Sequence, residues 1–115
     1  MIKKNLYKFK YTEEPNCHGG EGTLKFRRIL EKEFQSHISF FDYTILPPGT
    51  TIGFHKHVDS EEVYFILKGK GMMRVDNEEV EVSDGDVILN PSGSSHGLKN
   101  HSAQDLEILV FEGHF

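Results

Sequence analysis

At 115 residues, 37 % hydrophobic and 27 % charged, the chain has room for one soluble domain whose core needs no disulfide staples. Its net charge of −5, with lysines and arginines scattered, argues against a nucleic-acid partner, which wants clustered basic residues. The longest apolar run, Val63–Leu67, is far short of the ~20 residues that cross a bilayer, and no apolar leader follows the charged N-terminus. Cys17 is the only cysteine, so no intrachain disulfide forms and a reducing, cytoplasmic setting is expected.

In chain order, Tyr7, Phe9 and Tyr11 alternate with Lys8 and Lys10, which suits a strand. The run Cys17-His18-Gly19-Gly20-Glu21-Gly22 carries three glycines in four positions, a sign of backbone passing close to something. A flexible loop is the reading favoured there; His18 or Cys17 reaching a pocket is the alternative. Phe26, Ile29, Leu30 and Phe34 fall at helical spacing, yet Thr23–Leu30 serves as well as a strand. A strand is expected, with one helical turn at Glu31–Phe34.

Alternation with period two dominates after residue 38. Ile38–Leu46 is rich in β-formers and stops at Pro47-Pro48-Gly49. Strands are expected at Thr51–His57 and Glu61–Leu67, the second ended by Lys68-Gly69-Lys70-Gly71. Met72–Val75 and Glu79–Val82 flank a hairpin turn at Asp76-Asn77-Glu78. Turns at Ser83–Asp86 and Asn90–Gly93 bracket Val87–Leu89, and Leu106–Phe111 is the last strand. Short strands with a turn every ten residues or so indicate an all-β sandwich or barrel.

Seven histidines are many for this length, but their arrangement decides what they do. His55 and His57, one residue apart in a strand, share a face at roughly 6.6 Å between Cα atoms. Glu62 follows after four residues, enough for the chain to turn back and present a carboxylate from the neighbouring strand. From Gly49 the sequence reads Gly, five residues, His55, one, His57, four, Glu62, six, Gly69. From Gly85 it reads Gly, five residues, Pro91, one, Gly93, two, His96, three, Asn100.

These two strings match both signature motifs of the cupin superfamily, and Lys70–Asp84 resembles the short spacer of small microbial cupins. The resemblance covers residues 39–112, with 1–38 as an N-terminal arm and first strands of a single domain spanning 1–115. It implies a jelly-roll-like β-barrel that holds one divalent metal ion through His55, His57, Glu62 and His96. Mixed imidazole and carboxylate ligation with open positions suits Fe(II), Mn(II), Ni(II) or Zn(II), without choosing among them. Tight turns account for Gly69, Gly85, Pro91 and Gly93.

Alternation from Glu62 sends Tyr64 and Ile66 inward. Tyr64 is the candidate catalytic residue, a proton donor or substrate partner, although a barrel-lining aromatic is the reading favoured. Tyr43 or Phe41 is expected to line the pocket, again as packing. Arg27 or Arg28 is a candidate for a substrate carboxylate, against an exposed strand-edge arginine. His37, His101 and His114 read as surface histidines. The His-Gly-Gly-x-Gly run at His18–Gly22 resembles the arm of some small cupins.

The resemblance implies a metal-dependent enzyme on a small oxygenated or carboxylated molecule, of isomerase, decarboxylase, lyase or dioxygenase type. The alternative is a module that binds or senses a small ligand without turnover. A homodimer formed through the outer sheet or the arm is expected, with no membrane partner.

Overall fold

The computed structural model describes residues 1–115, and ten antiparallel strands account for most of it. They are β1 (Thr12–Pro15), β2 (Thr23–Leu30), β3 (Ile38–Leu46), β4 (Thr51–Lys56) and β5 (Ser60–Lys68). The chain continues through β6 (Lys70–Val75), β7 (Glu78–Ser83), β8 (Val87–Asn90), β9 (Ser95–Lys99) and β10 (Leu106–His114). A six-stranded sheet in the order β1-β2-β3-β10-β5-β8 faces a four-stranded sheet in the order β4-β9-β6-β7.

Strand alternation explains the core. Leu24, Leu46, Ile66, Leu106 and Ile108 from the larger sheet meet Ile52, Met73, Val82 and Leu98 from the smaller. Most of these side chains are fully buried, so the space between the sheets is closed at this end.

The outer face of the larger sheet is covered at β2 and β3, so the second half of β3 is buried on both faces. Residues 4–11 fold back over it, and Leu6 and Phe9 pack against Ile29, Tyr43 and Ile45. Arg27 lies beneath this arm, its guanidinium 3.8 Å from the Tyr11 ring and donating to the Leu6 carbonyl.

The strand at Thr23–Leu30 appears as expected, while Glu31–Phe34 forms only one hydrogen-bonded turn, Phe34 N to Glu31 O at 3.3 Å, and no helix. Tyr7–Tyr11 is not a strand: its aromatic rings are spent on the outer face of β3, and pairing begins at Thr12. β9 had no strong sequence signal, because Ser95-His96-Gly97-Leu98-Lys99 lacks β-branched residues. No helix of the chain is long and apolar enough to cross a membrane.

Two of the motif positions prove to be structural. Gly69 sits at φ +108 with the Asp105 carbonyl 2.7 Å from where a Cβ would lie, so only glycine fits the β5–β6 turn. Asn100 is fully buried and donates to the carbonyls of Leu46 and Gln104 at 2.8 and 2.7 Å. Its Oδ1 accepts from the Ser102 amide and hydroxyl, so one side chain ties the end of β3 to the β9–β10 loop. Asn100→Ala should therefore lower unfolding free energy by at least ~2 kcal/mol, because buried carbonyls lose their donors. Urea denaturation measures this, and a loss below ~0.5 kcal/mol would contradict the role assigned to that amide.

Candidate metal centre

Pairing of β4 with β9 runs through Ile52↔Leu98 and resumes at His55↔His96. Gly53 and Phe54 thus both face Gly97, a β-bulge in which two residues oppose one. Strict alternation would put Ile52 and His55 on opposite faces; the extra residue turns both inward. The bulge packs on bare backbone, since a Cβ on Gly97 would lie 3.0 Å from the Ile52 carbonyl.

His57 lies just past the end of β4, on the same face as His55. The short link to Ser60 then crosses to the other sheet, with Asp59 in the left-handed region at φ 63. Glu62 therefore reaches the group from the opposite sheet rather than from a hydrogen-bonded neighbour of β4, as the sequence had suggested. His96 completes it from β9, directly across from His55.

The four side chains converge, with ligand-type atoms all within 4.8 Å of one another. His55 Nε2 is 2.9 Å from His57 Nε2, and Glu62 Oε1 is 3.0 Å from His57 Nε2 and 2.9 Å from His96 Nε2. Donor atoms around one ion at ~2.1 Å stand about 3–4 Å apart, close to the 2.9–3.0 Å of these three pairs.

The outward nitrogens define what faces inward. His55 Nδ1 lies 2.7 Å from the Gly53 carbonyl, which only accepts, so in the neutral ring Nε2 is bare. His57 Nδ1 lies 3.3 Å from Glu112 Oε1, which orients that ring likewise. Bare imidazole nitrogens beside a carboxylate oxygen repel unless a proton or a cation lies between them. The donor set therefore fits a divalent cation on its own chemistry. Burial pushes His55 and His96 down to about 4, keeping both rings neutral at pH 7. Burial also pushes the Glu62 carboxyl up, to about 7.

Beside the cluster lies a cavity of about 150 Å³ lined by Glu14, Cys17, His18, Arg28, Asp42, Glu62 and Tyr64 among others. A cavity of that volume accommodates a benzene-sized molecule, about six non-hydrogen atoms. Tyr64 points inward as expected, is buried, and sets its ring edge-on to His96 at 5.4 Å. Burial and the nearby Glu62 raise its pKa well above the ordinary value, so the phenol stays protonated. Cys17 is likewise held as a thiol, pushed up to about 12 by burial and by Glu14.

Several expectations need correction. Tyr43 and Phe41 do not line the cavity: Tyr43 donates to Glu107 beneath the N-terminal arm, and Phe41 stacks on Phe111. The inward residues of β3 are instead Phe40, Asp42 and Thr44, one step out of phase. Arg27 faces away, whereas Arg28 reaches the cavity and donates to both carboxylate oxygens of Asp42 at 3.0 Å. The Cys17–Gly22 loop, read as flexible, is fixed against β4 and brings both Cys17 and His18 to the cavity. His37, His101 and His114 are at the surface.

Glu112 and Asp42 were not singled out from sequence. The pairing of β10 with both β3 and β5 sets Glu112 opposite Phe40 and Glu62, a long-range register that no local pattern reveals. In the chain without added metal, Glu112→Leu should release His57 Nδ1 and shift the ring toward a mixture of tautomers. Imidazole ¹⁵N chemical shifts read this directly, and an unchanged His57 spectrum would contradict the orienting contact.

Comparison with known proteins agrees with this architecture. Residues 42–112 match the Cupin domain family. The chain is 37 % identical over 96 residues to an oxalate-binding protein of Thermotoga maritima, covering 83 % of this chain and 79 % of that one. It is 45 % identical over 110 residues to an uncharacterized protein of Methanocaldococcus jannaschii, covering 95 % and 87 %. The crystal structure of a predicted oxalate decarboxylase from Thermotoga maritima superposes with a TM-score of 0.96 at 30 % identity, covering 99 % of this chain and all of that one.

Proposed function

Since the chain belongs to the Cupin domain family, we propose that it holds one divalent metal ion through His55, His57, Glu62 and His96 and binds a small carboxylate beside it. The observation that carries this is the convergence of four donor atoms from three strands and a linker on one point next to a cavity. The metal would supply Lewis acidity toward a chelating carboxylate or carbonyl.

The chain's own residues do the rest. His55 and His96 offer neutral imidazoles at pH 7, and Glu112 holds the third ring, His57, in register. Tyr64 carries a protonated hydroxyl at the cavity wall, a hydrogen-bond donor for the ligand and the candidate proton donor. The apolar wall of Leu24, Phe26, Phe40, Ile52 and Val110 limits water around the ligand.

Oxalate, with six non-hydrogen atoms, matches the cavity in size, and the names of the Thermotoga maritima relatives support that class. Turnover as an isomerase, decarboxylase, lyase or dioxygenase is the enzymatic form of this reading. Binding without turnover is the second form, favoured by the relative described as oxalate-binding. The metal is Fe, Mn, Ni or Zn, since the donor set suits each.

The reading also takes residues 1–115 as one domain, cytoplasmic and homodimeric. The free, buried thiol of Cys17 supports the compartment. Exposed Phe54, Val80, Val87 and Leu89 are apolar surface that a second copy would cover.

Elemental analysis of protein purified without added metal should find one divalent ion per chain. His57→Ala should abolish stoichiometric metal while circular dichroism shows a folded β protein. Full occupancy in that variant would sink the ligand assignment. Assays on oxalate and other small carboxylates, in air and without oxygen, then separate dioxygenase chemistry, oxygen-independent turnover and binding alone.

A further inference from the structure

The Cys17–Gly22 loop is absorbed by neither the barrel nor the four-residue cluster, yet its conformation is closely determined. Asn16 and His18 both lie in the left-handed region, at φ 51 and φ 50, as do Gly19 and Gly22 at φ 76. Left-handed non-glycine residues persist only where their surroundings over-determine them, and they gather at functional sites. Here the surroundings are plain. Glu21 N donates to Thr51 Oγ1 at 2.7 Å, and Thr51 N donates to the Glu21 carbonyl at 3.0 Å. Within the loop, Asn16 N donates to the Gly22 carbonyl and Asn16 Nδ2 to the Gly20 carbonyl.

Backbone meets backbone where the loop touches β4. A Cβ on Gly20 would lie 2.3 Å from the Thr51 carbonyl, and one on Gly53 would lie 2.1 Å from the His18 carbonyl. Gly53 is also the first residue of the β4 bulge. One glycine contact thus serves the loop and the bulge together.

What the loop delivers is the His18 ring. It stacks face to face on His55, with centroids 3.6 Å apart and planes 9° apart, and stands 6.3 Å from His57. It lines the cavity but remains largely exposed, so it occupies the mouth between solvent and the cluster. A glycine would take this backbone conformation without strain, and an imidazole adds an N–H donor that glycine lacks.

We propose that His18 is a specificity-determining residue: its imidazole, held against His55 by the docked loop, donates a hydrogen bond to an anionic oxygen of the small carboxylate in the cavity. This rests on the reading of His55, His57, Glu62 and His96 as a metal centre. The role requires the N–H and its placement, whereas stacking alone requires only a flat ring.

The test uses the full chain loaded with Mn(II), with oxalate as the probe and calorimetry as the readout, beside Mn(II) affinity of the metal-free protein. His18→Phe keeps a flat face toward His55 and removes the donor. It should bind Mn(II) within about threefold of wild type and oxalate roughly 10- to 100-fold more weakly, the size of a hydrogen bond to a charged group. Gly20→Ala, which forces the loop off β4 with His18 intact, should weaken oxalate binding in the same direction.

Oxalate affinity unchanged in His18→Phe overturns the proposal. So does a loss of Mn(II) affinity in that variant matching its loss for oxalate, which would make His18 a support for His55. In both cases the metal-centre reading survives. Wild-type protein that takes up no Mn(II) overturns that reading, and wild type that binds Mn(II) but no oxalate overturns the carboxylate assignment and this inference together.

Discussion

The site depends on one irregularity in the backbone, the bulge at Gly53-Phe54 opposite Gly97. A strand with strict alternation can serve the core or the cluster from one face, but the residues of β4 must serve both. Ile52 packs into the core and His55 and His57 turn toward Glu62. An odd number of steps separates Ile52 from His55, and only an inserted residue makes them neighbours on one face. Gly97 permits it, because its bare backbone leaves room for the two residues it faces.

Given that bulge, the remaining geometry follows from the closure of two sheets. The smaller sheet contributes His55 and His96 in direct register, and the larger contributes Glu62 from across the interior. Neither sheet alone brings a carboxylate against the imidazoles. Contacts on the outward nitrogens, Gly53 to His55 and Glu112 to His57, then fix which lone pairs face inward. Burial keeps the His55 and His96 imidazoles neutral, the form in which they serve as ligands. Fold, tautomer and ligand capacity are thus one arrangement seen at three scales.

Much of this was legible in the chain. Turn signals and period-two runs mark most of the strands, and the spacing of His55, His57, Glu62 and His96 marks the cluster. What stayed hidden has a common physical cause. The phase of β3 was misjudged because both its faces are buried, so Tyr43 and Asp42 are equally covered and burial carries no alternation. The arm escaped because its aromatic rings pack on an outer face whose existence depends on the fold. Glu112 and Asp42 became visible only through long-range register, and His18 only through a loop locked by glycine contacts that composition reads as flexibility.

The interior of the barrel is the place where this chain gathers donor atoms able to hold a cation. The surface offers a competitor in the stacked pair His37 and His114, 5.4 Å apart and solvent-exposed. The direct measurement is an anomalous difference map from a crystal of protein grown in its native metal, recorded at that metal's absorption edge. A single strong peak per chain, enclosed by His55, His57, Glu62 and His96, is the expected result. A peak at His37 and His114 with none in the interior would contradict it.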